Sequence, residues 1–373
     1  MKEWKKYKLG EILTVKYGKD HKKLDAGSIP VYGSGGLMRF VNSYICDSPS
    51  ILIPRKGSLN NVMYVEHPFW TVDTMFWTII DTTIAVPRFV YYAICKIDFE
   101  SLNVGSAVPS MTVPIIEDIE IFLPSLDEQK RIVKVLSSLE SKIELNRQIN
   151  DNLEQQLKLL YRSWFIENKH PDSKEVCLSE IIYFQEGPGI RNWQYVERDG
   201  IKFINIRCIE GGDINLTTAN MISEEEANGK YAHFMLKPFD IIMSCSGTLG
   251  RYAIVRKEHL PLCLNTSVIR FSPNRSESDY SYIYGYLASE EFLNKQVEMA
   301  CGSVQANFGP THLKQIKIIA PPIDYCKSYH TAAMPIISKI LENRREIQHL
   351  GKLRDTLLPK LMSGELKINE IDC

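Results

Sequence analysis

The sequence lacks a run of about 18 apolar residues, so no segment is predicted to span a membrane. Its N-terminus lacks the apolar centre of a secretion signal. None of the nine cysteines stands in a C-x-x-C pair, which argues against a zinc site or a dithiol motif. The cysteines are scattered and odd in number, and the sequence has no secretion signal, which together favour a reduced, cytoplasmic protein. A formal net charge of −1 gives no global support for nucleic-acid binding, so such a role must depend on local patches.

Patterns for catalysis are also missing. The sequence has no H-E-x-x-H motif. Ala320-Pro321-Pro322-Ile323 lacks the amide and the aromatic side chain of an adenine methyltransferase loop, and is better explained as a strand-to-helix turn. Pro171-Asp172 and Glu175-Val176-Cys177 lack the lysine of a magnesium-dependent nuclease motif. We therefore expect no catalytic residue, no cofactor site and no metal site in this chain.

A stretch without glycine or proline runs from Leu126 to Phe165 and is predicted to form one long helix. Its apolar residues follow steps of mostly 4, 3 and 4, which is the spacing of a coiled-coil seam. Asn146 interrupts this seam, and a polar seam residue can fix register. An ordinary long core helix is the alternative explanation.

The sequence contains an internal repeat. When residues 105–160 are aligned without gaps on residues 302–357, 14 of the 56 positions are identical. The identities include Gly105-Ser106 with Gly302-Ser303, and Asn146-Arg147 with Asn343-Arg344. Upstream of this stretch the two copies have diverged. The sequence therefore predicts two copies of a globular head followed by a long helix, and two different heads favour recognition of two different targets.

Further elements are predicted from local patterns. The strand Ser50–Pro54 should lead through a polar tip into a second strand at Val62–Val65, with Asp240–Met243 and Tyr252–Val255 as the counterpart hairpin. Other predicted elements are strands at 71–77, 115–123, 264–269 and 316–322, and helices at 86–96, 281–299 and 324–362, the last becoming regular only at Pro335.

Residues 1–40 contain nine Lys or Arg and four acidic residues, a local balance of 9 − 4 = +5, with tyrosines interleaved. Cations contact phosphates, and polar or aromatic side chains reach base edges. A glycine turn at Val31–Gly36 follows, and it is more typical of a plain turn than of a phosphate loop. The candidate DNA-binding residues of the first head are Lys16, Tyr17, Lys19, Lys22, Lys23, Tyr32, Ser34, Arg39, Arg55, Lys56, Ser58, Asn60 and Asn61.

The second head offers a different polar set on the same predicted hairpin and on a basic, aromatic entry segment. Its candidates are Gln185, Arg191, Asn192, Trp193, Asn205, Arg207, Ser244, Ser246, Thr248 and Arg251. In both heads the alternative is an ordinary solvated surface with polar hairpins.

Two other functions are compatible with the same residues. The chain could be a coiled-coil scaffold that binds proteins without reading DNA, or an enzyme whose site has no recognised motif. Replacement of Arg55 and Lys56 should weaken DNA binding and its salt dependence only if the heads bind DNA.

Several segments together resemble the specificity subunit of bacterial and archaeal type I restriction–modification systems. Pro54–Ser58 and Gly105-Ser106 resemble recognition-domain loops of that family, and Asp324-Tyr325-Cys326 departs from the family's acid–Gln pair, seen here as Glu128-Gln129. The helical segments that carry the resemblance are Leu123–Val133, Lys142–Asn150, Ser163–Phe165 and Leu357–Leu366.

The resemblance implies two target-recognition domains that each read one half of a bipartite, asymmetric site in double-stranded DNA, and helices that set the unread gap. It implies partners rather than catalysis: two modification subunits that bind S-adenosylmethionine and methylate adenine, and two restriction (translocase/endonuclease) subunits that use ATP and Mg²⁺. No cofactor is expected in this chain, and a membrane is not expected among its partners.

The predicted fold class is α+β. Two mixed α/β target-recognition domains form a pseudo-two-fold tandem repeat, separated by two long helices packed as an antiparallel coiled coil. The predicted segments are recognition domain 1 at 1–124, spacer helix 1 at 125–168, recognition domain 2 at 169–320, and spacer helix 2 with a tail at 321–373.

Overall fold

The computed structural model describes residues 4–105, 108–300 and 308–368. Lys2 and Glu3 of the N-terminal charge count, and Ser106, Gly302 and Ser303 of the predicted turns, lie outside the described residues. The chain divides into two compact units. The first unit is Met1–Ile143 with His349–Cys373, and the second is Glu144–Gln348. Within the described residues, no helix is long and apolar enough to cross a membrane.

The first unit contains a head built on small sheets that are antiparallel except for the parallel pair β3 and β7. Four strands pair in the order β2-β8-β5-β6, three in the order β4-β3-β7, and two in the order β1-β9. The strands are β1 (Lys5–Lys8), β2 (Leu13–Tyr17), β3 (Ile29–Gly33), β4 (Gly36–Val41), β5 (Ser50–Pro54), β6 (Met63–Val65), β7 (Trp70–Thr71), β8 (Met75–Ile80) and β9 (Glu120–Leu123). The short helices are α1 (Leu9–Ile12), α2 (Pro87–Ile94) and α3 (Val113–Glu117).

β5 lies at the centre of the first head, as its apolar sequence predicts. All five of its residues are buried, and Ile51 and Ile53 join a core that also contains Phe76 of β8 and Phe89 of α2. A strand buried on both faces reads as an unbroken apolar run, which is why the sequence located it correctly. This core fixes the base of the hairpin that carries Arg55.

The second unit contains a head with the same main sheet. Its four strands pair in the order β11-β20-β17-β18, and a second sheet has the order β12-β16-β13-β19. The strands are β10 (Lys174–Cys177), β11 (Ile182–Glu186), β12 (Tyr195–Val196), β13 (Gly200–Ile204), β14 (Ile209–Glu210), β15 (Asp213–Ile214), β16 (Asn220–Ser223), β17 (Ile241–Ser244), β18 (Tyr252–Ile254), β19 (Leu262–Leu264), β20 (Val268–Pro273) and β21 (Lys317–Ala320).

The order of the paired strands confirms the tandem repeat. In each head, a strand near the start pairs antiparallel with the strand that leads into a long helix: β1 with β9, and β10 with β21. In each head, the buried central strand lies between a hairpin partner and a long antiparallel neighbour. The heads therefore share the strand order of their main sheet although their sequences have diverged.

The two predicted long helices are present, and both contribute to both units. α4 spans Leu126–Arg162 and ends in a π-helical turn at Ser163–Glu167, and the C-terminal helix spans Ile323–Met362. The C-terminal helix is α10. The short helices of the second head are α5 (Leu178–Ile181), α6 (Glu224–Asn228), α7 (Tyr280–Leu287), α8 (Glu290–Ala300) and α9 (Pro310–Leu313).

The helices pack antiparallel within each unit. In the second unit, the Asn343 side chain donates to Asn150 Oδ1 at 2.9 Å, and Asn146 donates to Glu346 at 2.8 Å. In the first unit, Ile132 and Leu136 share a buried cluster with residues near the end of α10. Buried polar pairs in an apolar seam specify register, as expected for Asn146.

Three local predictions are wrong. Residues 115–117 belong to α3 rather than to a strand, because Pro114 occupies the first turn of a helix and Ile116 is buried. The predicted helix 281–299 is two helices, because the Ser289 hydroxyl accepts from the Phe292 N–H and starts α8. α10 is regular from Ile323 rather than from Pro335, and the buried residues on either side of that proline offset the missing hydrogen bond.

Two further strand predictions are shifted by the backbone turns that interrupt them. The stretch 71–77 divides between β7 and β8, and 264–269 divides between β19 and β20. The division of the sequence into segments 1–124, 125–168, 169–320 and 321–373 stays a prediction, since each compact unit combines one head with parts of both long helices.

Cys326 occupies the position of Gln129 in the second copy of the repeat, and a different residue takes over the contact that the glutamine makes. In the first unit, the fully buried Gln129 amide accepts from the Val86 N–H at 2.8 Å and donates to the Pro124 carbonyl at 3.0 Å. In the second unit, Arg275 donates to the equivalent carbonyl of Pro321 at 2.8 Å and contacts the Cys326 sulfur. The same helix start is therefore held by unlike side chains in the two copies.

Candidate nucleic-acid interface

The tips of two hairpins meet in the first head. Asn61, which follows the tip after β5, donates its amide to the Ser34 carbonyl in the β3–β4 turn at 2.8 Å. Gly57 has a φ of +93° and lies against the Ser34 side chain, so this position requires glycine. The predicted candidates Ser34, Ser58 and Asn61 are therefore brought into one surface.

Arg55 is positioned by neighbours on three sides. Its Nη1 donates to the Asp73 carbonyl at 3.0 Å, and its guanidinium lies 5.4 Å from the centre of the Tyr17 ring. Its own carbonyl accepts from the Met111 N–H at 2.9 Å. Stacking and a fixed hydrogen bond hold the guanidinium plane in a defined place. Lys56 beside it is exposed. A positioned arginine next to an exposed lysine suits one directional contact and one phosphate contact.

Cations of the N-terminal segment lie on the same head. Lys16 and Lys19 are exposed at the end of β2 and just after it, and the Trp70 indole donates to the Lys19 carbonyl at 2.9 Å. Tyr17 is 55% exposed beside Arg55. The basic segment 1–40 thus contributes exposed lysines to the first head, and Tyr17 of this segment contacts Arg55 of the hairpin tip.

Arg39 organises the loop that carries Lys22 and Lys23. Its Nη2 donates to the carbonyls of His21 and Leu24 at 3.0 and 2.6 Å. This engagement gives Arg39 a structural role in the described structure, while Lys22 and Lys23 are exposed.

Two other candidates of the first head have protein partners. Asn60 donates to Asp98 at 3.1 Å, and the Tyr32 hydroxyl lies 3.4 Å from His67 Nε2. Partial burial raises the pKa of Tyr32. Both residues are therefore oriented before any ligand arrives.

In the second head, the hairpin tip between β17 and β18 is a loop closed by its own hydrogen bonds. The Ser244 hydroxyl donates to the Thr248 carbonyl at 2.6 Å and accepts from the Arg251 N–H at 3.1 Å. Ser244 is fully buried, so its contribution is to the loop's shape. Thr248 and Arg251 are exposed, and Ser246 is half-buried. Burial raises the pKa of the Cys245 thiol in this loop to about 12, so it is neutral.

A short helical turn lies beside this tip. Asn205 caps the turn by accepting from the Arg207 N–H at 2.9 Å, and Ile206 approaches Gly247 of the tip. Arg207 is exposed, while Gln185 is half-buried on β11 opposite Arg270 of β20. The structure thus gathers Asn205, Arg207 and the 244–251 tip, whereas Gln185 belongs to the sheet.

Trp193 forms a separate exposed feature of the second head. It is 81% exposed and lies with exposed Arg191 and Asn192 on a turn that the Gln194 amide ties to Glu226 at 2.9 Å. Trp193 therefore lies outside the core of the second head, and its role in binding DNA stays a prediction.

Sequence reasoning missed an apolar surface on β4. Leu37, Met38 and Phe40 are each at least 50% exposed, and Tyr44 after the strand is 54% exposed. The sequence signal for this surface is the run Leu37–Val41, which is apolar except at Arg39, and such a short run is equally compatible with a buried strand. This surface lies on the hairpin whose turn contains Ser34 and can contact sugars or thymine methyl groups.

No cluster of metal-ligating side chains occurs within residues 4–105, 108–300 and 308–368. The arrangement instead offers cations, amides, hydroxyls and aromatic rings at hairpin tips. Groups of these kinds are able to bind and orient a polyanion.

Two heads with one topology and unlike polar tips, each built against segments of paired long helices, define a protein with two distinct recognition surfaces. The family model "Type I restriction modification DNA specificity domain" matches residues 1–155 and 171–344, and the chain belongs to that family.

Similar proteins include two named as specificity subunits. The chain is 25% identical over 346 residues to the type I restriction enzyme MjaIX specificity subunit of Methanocaldococcus jannaschii, covering 86% of this chain and 78% of the relative. It is 21% identical over 332 residues to the HindI specificity subunit of Haemophilus influenzae, covering 69% and 71%.

A crystal structure of a type I restriction–modification S subunit from M. genitalium has the same fold. The TM-score is 0.62 at 18% identity, and the match covers 96% of both chains. This likeness confirms the predicted fold class, and the family match confirms the predicted resemblance.

Proposed function

We propose that this chain is the DNA-reading specificity subunit of a type I restriction–modification complex. Each head reads one half of a bipartite, asymmetric site in double-stranded DNA. The long helices set the unread gap and bind two modification subunits. S-adenosylmethionine, ATP and Mg²⁺ act in the modification and restriction subunits, and this chain supplies neither a catalytic residue nor a cofactor site.

One observation carries the proposal: the heads keep the same sheet order while the hairpin tips differ in chemistry. The first tip presents Arg55 and Lys56, and the second presents Thr248 and Arg251 on a loop closed by Ser244. The shared sheet indicates one mode of docking, and unlike tips indicate unlike targets. The family match to both halves of the chain supports the same conclusion.

The chemistry of the first tip suits base reading in the major groove. An arginine fork binds the O6 and N7 atoms of guanine, and amides bind adenine. Arg55 is held by Tyr17 and the Asp73 carbonyl, which lowers the entropy lost when it binds. The exposed lysines around it supply phosphate contacts that fix position without reading sequence.

The modification subunits are proposed to bind exposed apolar residues on α4. Leu145 is 49% and Leu159 is 66% exposed, although the opposite side of this helix is buried. Exposed leucines at this spacing lie on nearly one side of a helix. Such a surface fits a partner protein better than it fits DNA.

The test is selection from random DNA. The purified complex with its modification subunit is incubated at fixed salt with a duplex library, and bound molecules are sequenced. We expect two unlike half-sites around a constant gap, with binding at least about 10³ tighter than to random duplex. Equal affinity for selected and random duplexes would refute the proposal and favour a protein scaffold.

A further inference from the structure

The second head contains a hairpin that the first head does not have at the equivalent place. In the first head, β3 and β4 are joined by residues 34–35. In the second head, the corresponding antiparallel partners β13 and β16 are joined by residues 205–219, which include β14 and β15. The insertion lies in the second unit; its turn is Gly211-Gly212, and Asp213 is the first residue of β15.

This turn is bonded directly to α10. The Gln348 amide donates to Asp213 Oδ2 at 3.0 Å and to the Ile214 carbonyl at 3.1 Å. The other carboxylate oxygen of Asp213 accepts from Arg256 at 2.5 Å, and the Arg256 side chain is 6% exposed. Asp213 therefore joins the helix to the loop after β18 through one carboxylate.

Arg344 completes the contact and links it to α4. Its side chain is 4% exposed, and its Nη2 donates to Glu154 of α4 at 2.6 Å. A Cβ atom at Gly212 would lie 2.2 Å from the same Nη2, so the turn approaches the guanidinium as closely as glycine allows. One buried arginine thus touches both long helices and the inserted hairpin.

The repeat shows that this use of arginine is specific to the second copy. Arg147 is the equivalent of Arg344 in the internal repeat. Its side chain is 62% exposed and pairs with Glu144 at 3.6 Å within the same helix. The duplicated arginine is therefore a surface residue in one copy and a buried link in the other.

We propose that the Arg344 cluster, defined as Gly212, Asp213, Arg344 and Gln348, positions the second head on the helix pair and thereby fixes the length of the unread gap. The inference rests on the proposed function. These are positioning residues, because they act through the placement of the head rather than through contact with bases. The Arg344 guanidinium is buried between the turn and Glu154, and a buried charged group with directional hydrogen bonds favours one arrangement and resists tilting of the head.

The test distinguishes a change in the length of the unread gap from a change in the bases that the heads recognise. Cells co-express the full chain and its modification subunit with a plasmid library in which the gap between the two half-sites varies, and adenine methylation is read by single-molecule sequencing. For Arg344→Met, we expect methylation at gaps one base pair longer or shorter to rise about tenfold relative to the native gap, because a hydrogen bond to a charged group is commonly worth that factor. Both half-site sequences should stay unchanged.

Two matched controls are available. Arg147→Met removes the repeat-equivalent arginine, and Gly211→Ala introduces a side chain at a φ of +56° where nothing lies within 4 Å. Both should keep the native gap. Gly212→Ala has a similar φ of +74° but meets Arg344, and it should relax the gap.

The outcomes are decisive in each direction. An unchanged gap in a complex that melts like the wild type would overturn the inference, as would a change in half-site bases. If Arg344→Met does not fold, Gln348→Ala removes two hydrogen bonds more gently and is judged by the same criterion. Absence of any bipartite methylation by the wild type would refute the proposed function instead.

Discussion

Arg55→Ala tests whether the first hairpin tip reads bases. The Arg55 guanidinium donates one hydrogen bond to the Asp73 carbonyl, and its central carbon lies 5.4 Å from the centre of the Tyr17 ring. An arginine has five donors, so the fork retains enough to bind a guanine edge. Loss of a bidentate contact of this kind costs about 1–3 kcal/mol of discrimination, or roughly 5- to 150-fold in affinity for the correct site.

Lys56→Ala provides the contrast within the same tip. Lys56 is exposed and carries a point charge, so it suits a phosphate contact. Its removal should weaken binding to the selected site and to random duplex equally, and should reduce the slope of log K against log salt by about 0.9. Arg55→Lys should not restore discrimination, because an ammonium cannot form the planar fork.

The assay is fluorescence anisotropy of the complex with its modification subunit on labelled duplexes at several salt concentrations. Lys96→Ala, an exposed cation at the end of α2, serves as the control and should bind as the wild type does. If Arg55→Ala and Lys56→Ala both keep wild-type affinity, discrimination and salt slope, the first tip does not contact DNA and the reasoning fails.

Other expected outcomes concern stability and assembly. Gln129→Ala should lower the free energy of unfolding by about 1–3 kcal/mol, since it leaves the N–H of the partly buried Val86 without its acceptor. Chemical denaturation measures this, with Lys130→Ala as the control. Burial beside Arg256 lowers the pKa of His259 to about 4, below its value near 6.5 in an unfolded chain, so its contribution is present above pH 6.5 and is lost as pH falls towards 4. Between pH 6.5 and pH 4, the free energy of unfolding of His259→Gln should fall by about 3 kcal/mol less than that of the wild type. Melting curves at several pH values measure this, and an equal fall in both proteins would contradict it. Leu159→Glu should abolish co-purification with the modification subunit without lowering the melting temperature, and full retention of the partner would remove that surface from the account.

Elements whose sequence determines their own environment were predictable. β5 is apolar at nearly every position and is buried on both faces, and α4 has a regular seam free of glycine and proline. The internal repeat predicts the tandem organisation of the chain. These features depend on patterns within a few turns or strands of the chain.

Features that depend on distant partners were not predictable. Arg39 is a predicted DNA-binding residue, and the structure shows in addition that it donates to two carbonyls of a preceding loop, which the sequence did not indicate. The loss of the glutamine at position 326 is offset by Arg275, about 50 residues earlier in the chain. Neither contact has a local signature, since each is set by which loops the fold brings together.

The Arg344 cluster shows the same limit most clearly. At the sequence level, Arg147 and Arg344 were one repeated identity with no hint of unlike roles. Their difference arises from the inserted hairpin and from Gly212, whose missing side chain makes the close approach possible. Sequence repeats identify shared architecture, whereas burial decides what each copy does.

The most direct test of the central claim is a genome-wide map of adenine methylation in cells that co-express this chain with its modification subunit. The account predicts one new motif consisting of two unlike half-sites around a constant unread gap, with Arg55→Ala disturbing only one half. A stable complex that produces no new methylation, or one that methylates a single uninterrupted motif, would contradict it.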